Sequence, residues 1–376
     1  MPYLFLIACA DIGIFHCFHR SCKQHNGLSK DFCSFNYRYN NKGIQMKHNL
    51  ITSSLTAFFL MAGATATSSA SANDKKIEAN DLVEMFEKLG GKHPGYRKAH
   101  AKGLCASGTF VPTPNKHFTG SALLSNGVLP VSMRFSVGGA SPSSNEKAPG
   151  TRGMGMQIQL PDGALHTFTG NNFPVFAGKN PEIFHGFLST LLPDENGKSD
   201  PAKTMAFVQQ NPSLQAHVMW NQNAKTAASF ANTEFFGLHT FYFDQANKQQ
   251  TKFRWNIKPN LGVKTLEKAE ADSMPTQFLA DTFAQQLKDE TVSFSIMASL
   301  GEAKDSDIDP SQQWPSERPQ VTLGTVTVKT SGGDACNNTN FDPNVMSAGF
   351  TPSADPILRM RSPAYAISFG KRLSGQ

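Results

Sequence analysis

Strand-like runs in this chain follow one another across short turns, while its helical runs stand in blocks between them. Met154–Leu160 and Ala164–Thr169 flank Pro161-Asp162-Gly163, a hairpin signature. Leu238–Phe243 and Lys252–Ile257 are joined by a polar Asn-Lys-Gln-Gln turn, and further strands are expected at Val292–Ala298 and Val321–Lys329. Leu123 to Ser136 reads as two apolar runs about a Ser-Asn-Gly turn at Ser125–Gly127. Helices are expected where Pro181 follows Asn180, where Pro201 follows Asp200, and over about Thr276–Lys288. An earlier one carries the apolar face Leu82, Met85, Phe86 and Leu89, capped by Asn80-Asp81 and ended by Gly90-Gly91. Parallel strands need a crossover helix between each pair, and that alternation is missing. The order predicts an α+β protein, an antiparallel sheet or closed barrel with attached helices.

The first 72 residues have a different character. From Met46, a basic start (Lys47-His48) leads to the apolar stretch Leu50–Leu60 and then to Ala70-Ser71-Ala72, the architecture of a secretory signal peptide. The apolar stretch is shorter than the roughly 20 residues of a membrane span. Residues 1–45 are expected to be an upstream extension of the gene reading, residues 46–72 the signal, and 73–376 a single periplasmic or secreted domain beginning at Asn73. The first 72 residues hold six basic and two acidic side chains of the chain's 35 and 29, leaving 29 and 27 and a formal charge of +2. A basic protein with a nucleic-acid partner is therefore not indicated. Of the six cysteines only Cys105 and Cys336 lie beyond residue 72. An exported chain allows them to pair, but nothing in the sequence shows that they meet.

The chain has no His-Glu-x-x-His, no phosphate-cradling loop with Lys-Ser/Thr and no Gly-x-Ser-x-Gly elbow. Gly153-Met154-Gly155 is a fragment of a dinucleotide fingerprint and reads better as a strand start that another backbone passes closely. What remains is a set of polar residues in unusual settings. Arg97 stands three residues before His100, and Arg134-Phe135-Ser136 and Gly170-Asn171-Asn172-Phe173-Pro174 follow. The last segment is Arg361-Ser362-Pro363-Ala364-Tyr365, with Arg372 beyond it. In kind and order these segments resemble the monofunctional haem catalases, from about Gly91 to Arg372. The landmarks Gly237-Leu238-His239-Thr240-Phe241, Trp314-Pro315, Phe341-x-Pro343-Asn344 and Asp355-Pro356-x-Leu358 agree with it.

The resemblance implies a catalase-like barrel and a haem, expected to be b type, held between His100 and Tyr365. Tyrosine is the ligand that haem iron takes in catalases. Arg361 lies one helical turn before Tyr365, and Arg372 falls on the same stripe; taken alone, that stripe would suit a surface helix with snorkelling side chains. His100 is the implied acid–base group for the peroxide, Ser136 the partner of its other ring nitrogen, and Asn171 a hydrogen-bonding group for the peroxide oxygen. Taken singly, His100 reads as an interior histidine and Asn171 as a turn residue. Arg97 and Arg134 resemble propionate-binding arginines. Phe176 and Phe184 match distal-pocket positions, Phe184 the one that stacks on the haem; both would also suit a core.

Three departures qualify the resemblance. The chain ends four residues after Arg372, so the C-terminal helical and nucleotide-binding extension of long catalases has no counterpart, and no NADPH site is expected. Ala99 stands where catalases usually carry valine, and Pro363 suggests that the ligand helix starts or kinks near Tyr365. A shortened, more open site favours a peroxidase that reduces hydrogen peroxide or organic hydroperoxides with a small organic donor. The alternatives are a minimal catalase, a fatty-acid hydroperoxide isomerase on the same fold, and a non-enzymatic haem carrier or sensor. A carrier has no need of His100, Ser136 and Asn171 together.

Overall fold

The structure, a computed structural model, describes residues 76–376; the expected signal peptide and its cleavage point lie outside the described residues. The chain opens with α1 (Ala79–Gly90), β1 (Gly103–Pro112), the single turn α2 (Ala122–Ser125), β2 (Leu129–Val137), β3 (Arg152–Gln159) and β4 (Leu165–Asn171). A helical block follows: α3 (Pro181–Thr190), α4 (Pro201–Gln210) and α5 (Gln215–Asn223). Then come the short β5 (Thr226–Ala227) and β6 (Phe235–Phe236), the longer β7 (Phe241–Asp244) and β8 (Gln250–Pro259), and β9 (Thr265–Leu266). The last stretch holds α6 (Lys268–Ser273), α7 (Phe278–Asp289), β10 (Ser293–Leu300), β11 (Gln320–Ser331), β12 (Phe350–Pro352) and α8 (Pro356–Leu373).

All pairings in the main sheet are antiparallel, in the order β10-β11-β1-β2-β3-β4-β6-β8, and β8 pairs back onto β10. Eight strands thus close into a barrel, which removes exposed edges. The β3–β4 hairpin turns at Pro161-Asp162-Gly163 as the sequence predicts, with Gln159 opposite Leu165. Barrel closure turns strand alternation into an inside and an outside. On β2, Val131, Met133, Phe135 and Val137 point into a phenylalanine-rich core, which leaves Arg134 and Ser136 on the other face. On β3, Met154, Met156 and Ile158 are core, and Gly153 and Gly155 alternate with them. The barrel's outer face at these strands is the floor of the site.

Three local readings change. The cap of α1 is Glu78, with Asp81 completing a reciprocal capping box, rather than Asn80-Asp81. Ala122–Ser125 forms a helical turn, because Ser125 Oγ and Asn126 Nδ2 bond back to the carbonyls of Ser121 and Ala122; only the second apolar run is a strand. The ligand helix neither starts nor breaks at Pro363. It starts at Pro356, where the Asp355 carboxylate accepts from the backbone N–H groups of Ile357 and Leu358, and it continues through Pro363 to Leu373. Buried Glu87 of α1 ties these parts together, pairing with Lys98 at 3.2 Å and with Lys371 of α8 at 2.7 Å.

Candidate active site

A cavity of about 710 Å³ lies between the barrel's outer face and α1, α3 and α8. Its walls include Arg97, His100, Arg134, Ser136, Asn171, Phe176, Phe184, Arg361, Tyr365 and Arg372, so every site residue expected from the sequence comes to one place.

On α8, Arg361 and Tyr365 stand one turn apart and so share a face. Arg361 Nη2 donates to the Tyr365 oxygen at 2.8 Å, an arrangement that stabilises negative charge on that oxygen. The ring packs against Cys105, Cys336 and Phe341. Two turns further on, the Arg372 guanidinium lies 4.9 Å from the Phe369 ring, and its Nη2 is buried without a hydrogen-bond partner among the described residues.

His100 sits across the cavity in the loop between α1 and β1. Its φ of +55° is unusual for a residue with a side chain. The loop is pinned on both sides of it, by Lys98 N donating to Ser368 Oγ and by Ala101 N donating to Gly139 O. His100 Nδ1 is 3.0 Å from Ser136 Oγ, and Ser136 Oγ lies 3.4 Å from the Gly153 carbonyl, to which it donates. With the serine hydrogen so committed, Nδ1–H must be the donor in the first bond, and the lone pair is left on Nε2. Burial and the charges of Arg134, Arg361 and Arg97 pull the imidazole down to about 4, so it is neutral at neutral pH. A neutral ring held in one tautomer is a ready proton acceptor. Nearby, the Asn171 amide oxygen is buried and has no hydrogen-bond partner among the described residues; the Phe176 and Phe184 rings, also in the cavity wall, meet at a tilt with centroids 4.7 Å apart.

The cavity carries unbalanced positive charge. Burial and neighbouring guanidiniums pull Arg97 down to about 9 and Arg134 to about 10, and burial lowers Arg372. Arg97 donates to the Thr339 and Cys336 carbonyls at 2.9 and 3.3 Å, and Arg134 to Ala101 O at 3.1 Å. Among the described residues no carboxylate pairs with Arg97, Arg134, Arg361 or Arg372. Guanidiniums kept from water in this way call for anions from elsewhere. A flat, largely apolar group with two carboxylates and a metal fits this cavity: carboxylates to the arginines, phenolate to the metal, and imidazole with amide on the open face.

Some contributors were not predicted as site residues. Gly153 is one: a Cβ there would lie 2.7 Å from both His100 Nδ1 and Ser136 Oγ. The Gly-Met-Gly run does mark a strand start, but what passes closely is side chains, the His100–Ser136 pair at Gly153 and the Phe341 ring at Gly155, rather than backbone. Cys105 and Cys336 are joined by a disulfide, Cα atoms 5.4 Å apart, which anchors to β1 the loop whose carbonyls hold Arg97. His239, fully buried, meets Asp355 at 2.7 Å through Nδ1, so the residue capping α8 is also fixed to the barrel wall.

The catalase family model matches residues 64–376. The catalase-related peroxidase of Synechococcus elongatus is 36% identical over 304 residues, 80% of this chain and 90% of that protein. The catalase-related peroxidase of Mycolicibacterium paratuberculosis is 31% identical over 300 residues, 78% and 94% of the two chains. In three dimensions the chain is similar to catalase A from Saccharomyces cerevisiae, with a TM-score of 0.67 at 21% identity. That match covers 75% of this chain and 62% of the yeast enzyme, less than two thirds of its length. The matched span takes in the whole cavity with its distal and proximal faces: the chain belongs to the catalase family and is expected, as its members are, to carry haem.

Proposed function

We propose that this protein is a haem peroxidase that reduces hydrogen peroxide, and organic hydroperoxides, at the expense of a small organic donor. The observation that carries the reading is the His100–Ser136–Gly153 hydrogen-bond chain standing across the cavity from Arg361 and Tyr365. Haem, when bound, supplies the electrons and the metal that split the O–O bond. Tyr365, with Arg361 donating to its oxygen, would hold the iron; Arg97, Arg134 and Arg372 would hold the propionates, and Phe184 would pack against the ring. The two cysteines beyond residue 72 are tied to each other, so neither offers a thiol for covalent attachment, which supports a b-type haem.

His100 takes the peroxide proton on Nε2 and returns it to the departing oxygen, the work of a general base and then acid near its operating pH. Ser136 keeps the ring in the productive tautomer. Asn171 gives the peroxide a hydrogen-bonding partner and holds it beside His100. Peroxidase rather than catalase turnover is supported by the width of the distal space. Ala99, Gly138, Gly139 and Ala140 leave one side of the cavity with almost no side-chain bulk, and Leu191, itself exposed, brings the cavity to the surface. The names of the two bacterial relatives point the same way. Export through the Met46 signal is part of the reading, and a disulfide suits an oxidising compartment.

One experiment tests the whole. The haem-loaded protein is given hydrogen peroxide with and without a reducing dye, while dye oxidation and dioxygen release are followed together. Dye oxidation should be appreciable and dioxygen release slow. Dioxygen release at the rate of a long catalase would make this a minimal catalase instead, and failure of both reactions would make it a haem carrier. N-terminal sequencing from the native host should begin at or near Asn73.

A further inference from the structure

Among the described residues the cavity wall holds one histidine besides His100, and the peroxide step does not involve it. His217 lies on α5. Its Nδ1 faces the Val175 carbonyl at 3.5 Å, so that nitrogen carries the hydrogen, and Nε2 has no hydrogen-bond partner among the described residues. The ring stands in an aromatic recess: Phe173 meets it edge-on at 5.1 Å, and Phe187 and Trp220 lie 6.3 Å away. Phe173 and Phe187 line the same cavity. Burial lowers the pKa of His217, which keeps the ring neutral and able to accept a proton.

A base among aromatic faces is what one kind of reducing substrate requires. A phenol that loses an electron becomes a far stronger acid. Its oxidation is therefore easiest when a base at hydrogen-bond distance takes the proton as the electron leaves. His100 serves the peroxide's proton and returns it as the O–O bond breaks; the base that stands among the ring faces able to hold a phenol is His217. We propose that the reducing substrate is a phenol seated against Phe173 and Phe187, and that His217 Nε2 is its proton acceptor.

In this step, which rests on the peroxidase reading above, the phenol O–H bond breaks and its electron goes to the peroxide oxidant, by way of the haem that the cavity would hold. The proton goes to Nε2, and a phenoxyl radical leaves. The imidazolium then returns its proton to the water being formed. Each peroxide takes up two electrons and two protons, so two phenols are consumed and two waters released.

The test compares two donors on haem-loaded wild type, His217→Gln and His217→Phe. Guaiacol gives an electron and a proton; ferrocyanide gives an electron and has no proton to lose. Both variants should lower the guaiacol-to-ferrocyanide ratio of kcat/KM about 10²-fold, the usual effect of removing a positioned acid–base group. The solvent isotope effect on guaiacol oxidation should also disappear. Equal losses with both donors would reduce His217 to a packing residue, and an unchanged ratio would remove it from the reaction. If wild type oxidises neither donor, the peroxidase reading itself falls.

Discussion

His100 combines a strained backbone, a fixed tautomer and a depressed pKa, and each has a separate physical cause. The positive φ aims the ring into the cavity, Ser136 selects the nitrogen that carries hydrogen, and burial with three guanidiniums keeps the ring neutral. Neutral imidazole is the reactive form, so the rate of the peroxide step should hold from neutral pH downward and fall only near pH 4. The sign for stability follows by linkage. The folded pKa lies below the ordinary histidine value, so the unfolded chain binds more protons between about pH 6.5 and 4. This group therefore destabilises the fold as pH drops through that window, and His100→Ala should flatten that part of a denaturation-versus-pH curve. The same variant should slow the peroxide step about 10²-fold or more while haem stays bound. A wild-type rate in rapid mixing would remove His100 from catalysis. Gly153→Ala is a subtler probe, because it removes no functional group. Its methyl would displace the imidazole and the serine hydroxyl together, so the peroxide step should slow more than in Ser136→Ala, where only one hydrogen bond is lost. Similar rates in the two variants would show that the pair tolerates displacement.

At the scale of the element, α8 decides the proximal side. A proline inside a helix costs about 3 kcal/mol, yet α8 runs through Pro363. Its start is held by the doubly used Asp355 carboxylate, which caps the helix and binds His239. Asn344 Nδ2 donates to Leu358 O and to Ser362 Oγ just before the proline. These tertiary bonds hold Arg361 and Tyr365 on one face, where proline alone would predict a break. Tyr365→Phe should lose haem or change the Soret and charge-transfer bands strongly. Tyr96→Phe and Tyr242→Phe should change neither; Tyr242 bonds Asp307, and Tyr96 is half exposed at 48%. An unaltered spectrum in Tyr365→Phe would reassign the proximal ligand.

Across the whole molecule, the cavity exists because distant segments meet at the outer face of a closed barrel. The Cys105–Cys336 bond spans 231 residues and anchors the loop that supplies Arg97 with carbonyls and Tyr365 with the Phe341 ring. Replacing both cysteines by serine should cost about 2–5 kcal/mol in chemical denaturation and weaken haem retention as well. A stability loss with haem affinity intact would confine the bond to a purely structural part. The antiparallel, hairpin-wise character of the strands, the hairpin at Pro161-Asp162-Gly163 and the helix starts at Asn180 and Asp200 were legible in the sequence, because turn and cap chemistry is local. So was the set of polar residues between Arg97 and Arg372, through its resemblance to the motifs of the haem catalases. β1 was not, since its small, mixed residues carry no turn signal and become a strand only by lying between β2 and β11. Nor were the side chains that crowd Gly153, the disulfide, the place of His217 or the continuity of α8. Each depends on what lies within a few ångströms across a barrel wall, and sequence spacing does not record distance in space. The sequence by itself determined which groups can do the chemistry; barrel closure and the docking of α8 decided that they face one another across a single cavity.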